Sequence, residues 1–491
     1  EEFKNLMLRM WGFYERYKAQ RERFPRDHNL LFIRSFITSY FHEIAQYTVL
    51  NTGEDNKPIV PDIEKNEHLV KLWFPVLYGF HDIIMTGEEL EVRSRALTYL
   101  FDVLMKYGQY FDFEFWKIIC ENLLFPIFHV LSNHWEIGLD DINDQLSVWL
   151  STTLIQALKS MMTLFTHYFD ALNSFLDGYL ELIISCICQE NDTIARIGRE
   201  CLISLLIDNA QNFNNEHWGK VSDALSNLFE LTTAKELFTS DPLRNRTVKD
   251  SEGSSSDIGG EDVEHTESKN SIIDDAEERL KKSKDKSSIV VKSVLQLLLI
   301  QSLSELFESD DFYENVPYDY LFKMAKLLFK SYNFAKKFND DYDLRVRLWN
   351  AGVIERLPNL LKQESSSAAV FINITFRMYC DDDKASPANK QSLLDYLVPL
   401  CNTIVERYSE LDETNQQRNI STWKPVIVEI YEGYVELDDD DFTKHCPALY
   451  HLTLKLFSKS MSSELRLAMK AFLTRVGEEF VSISDNNKER R

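Results

Sequence analysis

From Glu1 to about Phe238 the apolar residues recur at every third and fourth position, as in Leu97, Leu100, Phe101, Leu104 and Met105. That is the period of an amphipathic helix with one face turned to a core. Strand-like alternation is scarce. The runs end at helix-stopping signals, Gly108 after Tyr107 and the polar run Asn214 to Glu216. The same period resumes near Ser288 with VVKSVLQLLLIQSLSELF and continues to about Ser484. At a typical helix plus short connection each, the pattern predicts roughly twenty helices.

Between these runs the pattern lapses. No aromatic residue lies between Phe238 and Phe307; Asp250 to Glu278 holds eleven acids against one Lys, and Arg279 to Lys286 five basic residues against one acid. Such a segment cannot bury enough apolar surface to offset its ordering entropy. The expected organisation is therefore a helical-repeat domain over 1–238, a disordered acidic-to-basic linker over 239–288, a second helical-repeat domain over 289–484 and a solvated tail over 485–491. An internal echo supports repeats: EVRSRALTYL at Glu91, TIARIGRECLISLL at Thr193 and ELRLAMKAFL at Glu464 each run from a polar helix start through Arg and a small residue to leucines. Helix pairs of this kind bury their apolar faces by stacking, so the fold class expected is an all-α, HEAT/armadillo-like helical-repeat solenoid in two folded parts.

Composition narrows this further. With 491 residues the chain is too long for one core, and only 15 Gly and 12 Pro disfavour turn-rich sheet folds. The net charge of -24 opposes non-specific binding to nucleic acid or to an anionic bilayer, so no nucleic-acid partner is expected. Seven irregularly spaced cysteines read as reduced cytosolic thiols rather than a disulfide framework. No apolar run reaches the roughly 18 residues of a membrane span; the best, Val294 to Ile300, is bounded by Ser293 and Gln301. No signal peptide is expected at the acidic start, and opening on Glu1 within an amphipathic pattern suggests a piece of something longer.

Catalytic chemistry is hard to place. There is no GxSxG or GxGxxG, and Gly219-Lys220 is followed by Val221 with Asn214 where a phosphate loop needs Gly. His42-Glu43 has Gln46 where a zinc protease needs its second His. Cys186 and Cys188, one residue apart on a helix, would diverge by about 200 degrees and read as structural thiols. The acidic runs Asp381 to Asp383 and Asp438 to Asp441 lack the alternating ligands of a calcium loop, and Asp441 before Phe442 reads as a helix cap. No catalytic residue, cofactor or metal ligand is expected. Arg16, Lys18, Arg21, Arg23 and Arg26, interleaved with Tyr17 and Phe24, could meet a membrane or partner, but Glu15 and Glu22 dilute the patch and favour an exposed mixed-charge helix face.

Several blocks in order resemble the C-terminal region of the large Arf guanine-nucleotide exchange factors of the brefeldin-A-inhibited (BIG) or Sec-seven family, with the fungal branch implied. They are WFPVLYGFHDIIMTGEELEVRSRALTYLFDVLMKYG from Trp73, LFPIFHVL from Leu124, and the stretch from Trp149 through QENDTIARIGRECLISLL to Trp218. LWNAGVIERLPNLLKQESSSA from Leu348, FRMYCDDD from Phe376, WKPVIVEIYEGYVELDDDDFTKHCPALY from Trp423 and ELRLAMKAFLTRVGE from Glu464 follow. Physically, Trp73 and Phe74 before Pro75 are apolar anchors at a helix start, and Arg93 with Arg95 can satisfy carbonyls or acids between repeats. In PNLLKQE, Leu360 and Leu361 should pack inward and leave Lys362, Gln363 and Glu364 open to a partner or a neighbouring loop.

The resemblance implies the last two of the family's HDS domains, a regulatory region without the catalytic domain, so this chain is expected not to be an enzyme. It also implies autoinhibition, partners among GTP-bound Arf, Arl or Rab GTPases, contact with upstream domains of the same protein, and a cytoplasmic location, peripheral on Golgi or trans-Golgi network membranes. The acidic insert departs from the family pattern and suggests a linker or a phosphorylatable segment at Ser251, Ser254, Ser255 and Ser256. A homodimerisation scaffold without GTPase or lipid binding is the competing expectation.

Overall fold

A computed structural model describes residues 73–86, 90–128, 144–189, 191–240, 267–352, 359–459 and 461–488. They contain helices and connections, with no strand among the described residues. The chain divides into two compact units, 1–212 and 213–491.

In the first unit the helices are α1 (Phe74–Thr86), α2 (Leu90–Tyr107), α3 (Phe113–Ile119), α4 (Asp144–His167), α5 (Phe169–Leu172), α6 (Leu176–Ile187) and α7 (Asp192–Asn209). α3 runs on through a π turn, Cys120–Leu124. α1 packs on α2 and α6 on α7, while α2, α4 and α7 form a second row, each packed on the next. Asp112 caps α3 through the Phe115 amide at 2.9 Å, and Asn191 caps α7 through Thr193 and Ile194. α2 ends at Tyr107, where Gly108 lies so close to Trp116 that a Cβ would sit 2.5 Å from its ring. The small residue of each echo is buried: Ala96 in α2, Gly198 in α7 and Ala468 in the last helix of the chain. At Gly198 a Cβ would meet the backbone nitrogen of Ile187 at 3.1 Å, so the small residue lets α7 approach α6.

The second unit comprises α8 (Asn215–Leu231), α9 (Glu236–Thr239), α10 (Glu267–Glu308), α11 (Asp310–Asn315), α12 (Tyr318–Asp340), α13 (Tyr342–Asn350), α14 (Leu361–Cys380), α15 (Pro387–Glu410), α16 (Gln417–Val435), α17 (Asp439–Leu456) and α18 (Ser463–Lys488). α12, α14, α16 and α18 pack in series, and α15 packs on α17. Each helix thus meets the one two elements further on, which is how repeated helix pairs build a common core. The fold is the expected all-α helical-repeat stack.

Three features differ from the expectations. The division falls at 212/213 rather than 238, because α8 and α9 pack within the second unit. Trp218 meets Phe312 edge-on at 5.5 Å, Phe238 packs on Phe334 and Phe338, and Gln296 bonds the Phe229 carbonyl. Helix α10 begins at Glu267, inside the expected linker. Its stretch Ser288–Glu308 has the length and the mean hydropathy, 1.5, of a membrane span, although no such run was expected. Half of that window is buried within the protein, with Leu299, Leu303 and Leu306 in the core and Gln296 and Ser302 buried and hydrogen-bonded. These are the contacts of a helix packed into the unit's core. Pro399, Pro425 and Pro447 also lie inside α15, α16 and α17, where propensity alone would end a helix. The core residues beside them, including Leu397, Val426, Ile427, Cys446 and Leu449, are buried, so packing overrides the local cost.

Candidate functional site

Polar groups inside the second unit form a seam across four helices. At the end of α8, Thr232 and the Phe229 carbonyl take Nε2 of Gln296 at 2.9 and 2.8 Å. The Gln296 Oε1 accepts from Ser331 Oγ on α12 at 3.0 Å, and that oxygen accepts from Gln363 Nε2 on α14 at 3.0 Å. Thr232, Gln296, Ser331 and Gln363 are all buried. A buried amide or hydroxyl costs free energy unless partnered, so a closed relay fixes the register of these helices.

Glu364, the next residue, is 2% exposed. It accepts from Asn339 Nδ2 at 2.6 Å and from Arg407 at 2.8 Å, while Arg407 also holds Asp340 at 2.7 Å. Burial pushes the Glu364 carboxyl above its ordinary value, with the Asn339 and Arg407 bonds opposing. Burial works against the Arg407 charge, but the facing carboxylates Glu364 and Asp340 hold its pKa up. Beside this cluster lies a cavity of about 280 Å³, lined by Tyr332, Arg345, Asn359, Gln416, Asn419 and Trp423 among others.

Two arginine clamps join helix ends. Arg377 on α14 donates to the Phe307 carbonyl and to Asp310, both at 2.6 Å, with its guanidinium 3.8 Å from the Tyr313 ring centre. Arg475 on α18 repeats the arrangement with the Val435 carbonyl at 2.5 Å, Asp439 at 2.8 Å and Phe442 at 4.3 Å. Each ties a closing carbonyl of one helix to the first acid of the next, where the two helix dipoles want opposite charges. In the first unit Arg93 Nε on α2 bonds the Ile84 carbonyl of α1 at 2.6 Å, satisfying a carbonyl as expected, whereas Arg95 pairs with Glu91 on its own helix. Trp73 is fully buried, the anchor expected at the start of α1.

Of the sequence-predicted site residues, Lys362 is exposed, but Gln363 and Glu364 are buried and hydrogen-bonded rather than open to a partner. The relay and the Arg407 pair account for that correction. Arg16, Lys18, Arg21, Arg23 and His42 lie outside the described residues. Asp441 is not a cap: Asp438 holds the cap position and Asp441, in the first turn, accepts the Tyr379 hydroxyl at 2.6 Å. Asp381 similarly accepts from Tyr313 at 3.0 Å. Among the described residues no group of His, Cys, Asp and Glu is arranged to hold a metal. Cys120, Cys186 and Cys201 are buried and their thiols are pushed up to about 12, so they stay protonated and unreactive; Cys188 is half-buried.

Residues 294–474 match the family described as the BIG2 C-terminal domain. Over 91% of its length the chain is 43% identical to the ADP-ribosylation factor guanine nucleotide-exchange factor SEC7 of Saccharomyces cerevisiae. The chain belongs to the Sec7/BIG family of Arf exchange factors. It is 32% identical to the exchange factor sec72 of Schizosaccharomyces pombe over 88% of the chain, and 25% identical to human brefeldin A-inhibited guanine nucleotide-exchange protein 1 over 83%. The chain spans about a quarter of the length of these Sec7/BIG relatives and corresponds to their C-terminal region. Among solved structures, a circular tandem repeat protein aligns over 94% of the chain and all of its own, at 12% identity and a TM-score of 0.31. Within residues 294–474 lie Gln296, Ser331 and Gln363 of the seam, the Glu364–Arg407 pair and Arg377, while Phe229 and Thr232 precede them.

Proposed function

We propose that the chain is the non-catalytic regulatory and scaffold region of an Arf guanine-nucleotide exchange factor. It acts in autoinhibition and in recruitment to Golgi membranes by GTP-bound GTPases of the Arf, Arl or Rab class. Nucleotide exchange itself belongs to an upstream domain of the parent protein. The observation that carries this reading is the kinship with the C-terminal quarter of Arf exchange factors. The chemistry agrees with it: the buried Glu364 and the partly buried Arg377, Arg407 and Arg475 of the second unit are committed to holding helices together. Recruitment works by linkage, in which a GTPase that binds one conformation better shifts the protein toward it, with a coupling of about 1 to 3 kcal/mol.

Liposome flotation with membrane-anchored Arf, Arl and Rab, each loaded with GTP or GDP, tests the reading. Flotation with the GTP form of one class is expected; flotation indifferent to the nucleotide contradicts it. A second reading, homodimerisation, draws on Leu454, Phe457 and Leu467, which are 48%, 57% and 67% exposed around α17 and α18. Light scattering across a concentration series, with and without Phe457→Glu and Leu467→Glu, separates the two.

A further inference from the structure

Between Tyr320 and Asn339 the chain carries five lysines and no acid, although its net charge is -24. Those residues all lie in α12, where Lys323, Lys326, Lys330 and Lys337 fall within an arc of about 60 degrees, on the helix face turned away from the buried Leu321, Met324, Leu328 and Ala335. Lys323 and Lys336 meet acids, Asp223 of α8 at 2.7 Å and Asp340 at 2.8 Å. Lys326, Lys330 and Lys337 meet no acid among the described residues. Lys326 and Lys330 stand one turn apart, a like-charge spacing that weakens a helix, and a carboxylate set between them turns that repulsion into attraction.

Two of these three lysines are held in place by aromatic rings. Lys326 Nζ lies 4.1 Å from the Phe322 ring centre and 5.4 Å from that of Tyr396 on α15, and Lys337 Nζ lies 5.2 Å from that of Phe238 on α9. A lysine already laid on a ring has less freedom left to lose when an anion arrives. The face is also narrow. Asp319 stands at its start, Asp223 at its side and Asp340 at its end, so a flat anionic bilayer or a nucleic-acid duplex would press its phosphates against these carboxylates as well. A single chain with carboxylates spaced along it fits between them, and from Lys326 to Lys337 it would run about 16 Å along the helix.

We propose that the lysine face of α12 binds an acidic peptide segment of a partner protein, laid along Lys326, Lys330 and Lys337. The inference does not depend on the recruitment reading. Fluorescence anisotropy on the 491-residue chain at low salt tests it, with labelled hexaglutamate as probe, hexaglutamine as the neutral control and phosphatidylserine vesicles as the rival occupant. Hexaglutamate should bind and hexaglutamine should not. Replacing Lys326, Lys330 and Lys337 together by Gln should weaken hexaglutamate by about tenfold, and Lys330→Glu alone by about threefold, without lowering the melting temperature in the single variant. Failure of hexaglutamate to bind, or binding that Lys330→Glu leaves unchanged, would overturn the proposal. Vesicle binding that these variants abolish while hexaglutamate binding persists would overturn it too, by giving the face to a membrane. Because Lys330 is exposed and makes no ion pair or ring contact among the described residues, Lys330→Glu keeps the test decisive even if the triple variant, which removes ring contacts, is less stable.

Discussion

The two units are both helical stacks, yet they are held differently. In the first, aromatic rings carry the contacts: Trp73 meets Tyr107 and Phe111 at 5.3 and 5.2 Å, and Trp116 meets Tyr168 at 5.3 Å. Its bonds between helices are mostly single and uncharged, such as Tyr168 to the Met105 carbonyl at 2.6 Å and Asn209 to Thr166 at 3.0 Å. The second unit adds the buried relay, the Glu364–Arg407 pair and two arginine clamps. Apolar packing tolerates many registers, whereas a closed polar network tolerates one, so the second unit has the more tightly specified helix register.

The largest effect should come from breaking the second unit's charged pair. Glu364→Ala leaves the Asn339 amide without its acceptor and opens a cavity where a buried side chain sat, while Arg407 keeps Asp340, so the loss should be about 2 to 3 kcal/mol. Urea unfolding of the chain should show it in the second unit's transition alone. Arg475→Met removes a carbonyl bond, an acid bond and a ring contact, and should lower the same transition by about 2 kcal/mol. In the first unit, Tyr168→Phe keeps the ring and deletes one hydrogen bond, for about 1 kcal/mol in that unit's melting. An equal or larger loss from Tyr168→Phe than from Glu364→Ala would erase the contrast.

The smallest effect is a pH dependence within the second unit. Burial raises Glu236, but the bonds from Lys292 and Ser288 outweigh it and hold the carboxyl below its ordinary 4.5. Its contribution is therefore full above about pH 4.5 and fades as pH falls through the lowered folded value. Glu364 is raised instead, so its contribution is full below its unfolded value and fades as pH rises through the folded one. Glu236→Gln should flatten the acid limb of the stability curve by less than about 1 kcal/mol, and Glu364→Gln should steepen it.

Much of this was legible in the sequence. The three-to-four period gave the helices, Gly108 the end of α2, and Trp73 and Arg93 their contacts, whereas the polar run at Asn214 to Glu216, read as a stop, is the N-cap and first turn of α8. Long-range polar pairing was not, because Glu364 meets Asn339 and Arg407 only after folding. A signal did exist: Leu361, Glu364, Ser365, Ala368, Phe371 and Ile372 share one helical face, and that period places Glu364 among buried neighbours. Reading Gln363 and Glu364 as exposed followed residue type where periodicity was the better guide. The prolines inside α15 to α17 and the extent of α10 escaped for the related reason that packing overrides local preference.

The proposed role is binding of a GTPase without catalysis of its exchange. Its most direct test is release of a fluorescent nucleotide from membrane-anchored Arf, Arl and Rab as the chain is titrated in, with co-sedimentation of the chain measured in the same samples. Co-sedimentation with the GTP-loaded form of one class is expected, with a release rate that stays at its basal value throughout. Accelerated release, or co-sedimentation that ignores the nucleotide, would contradict it.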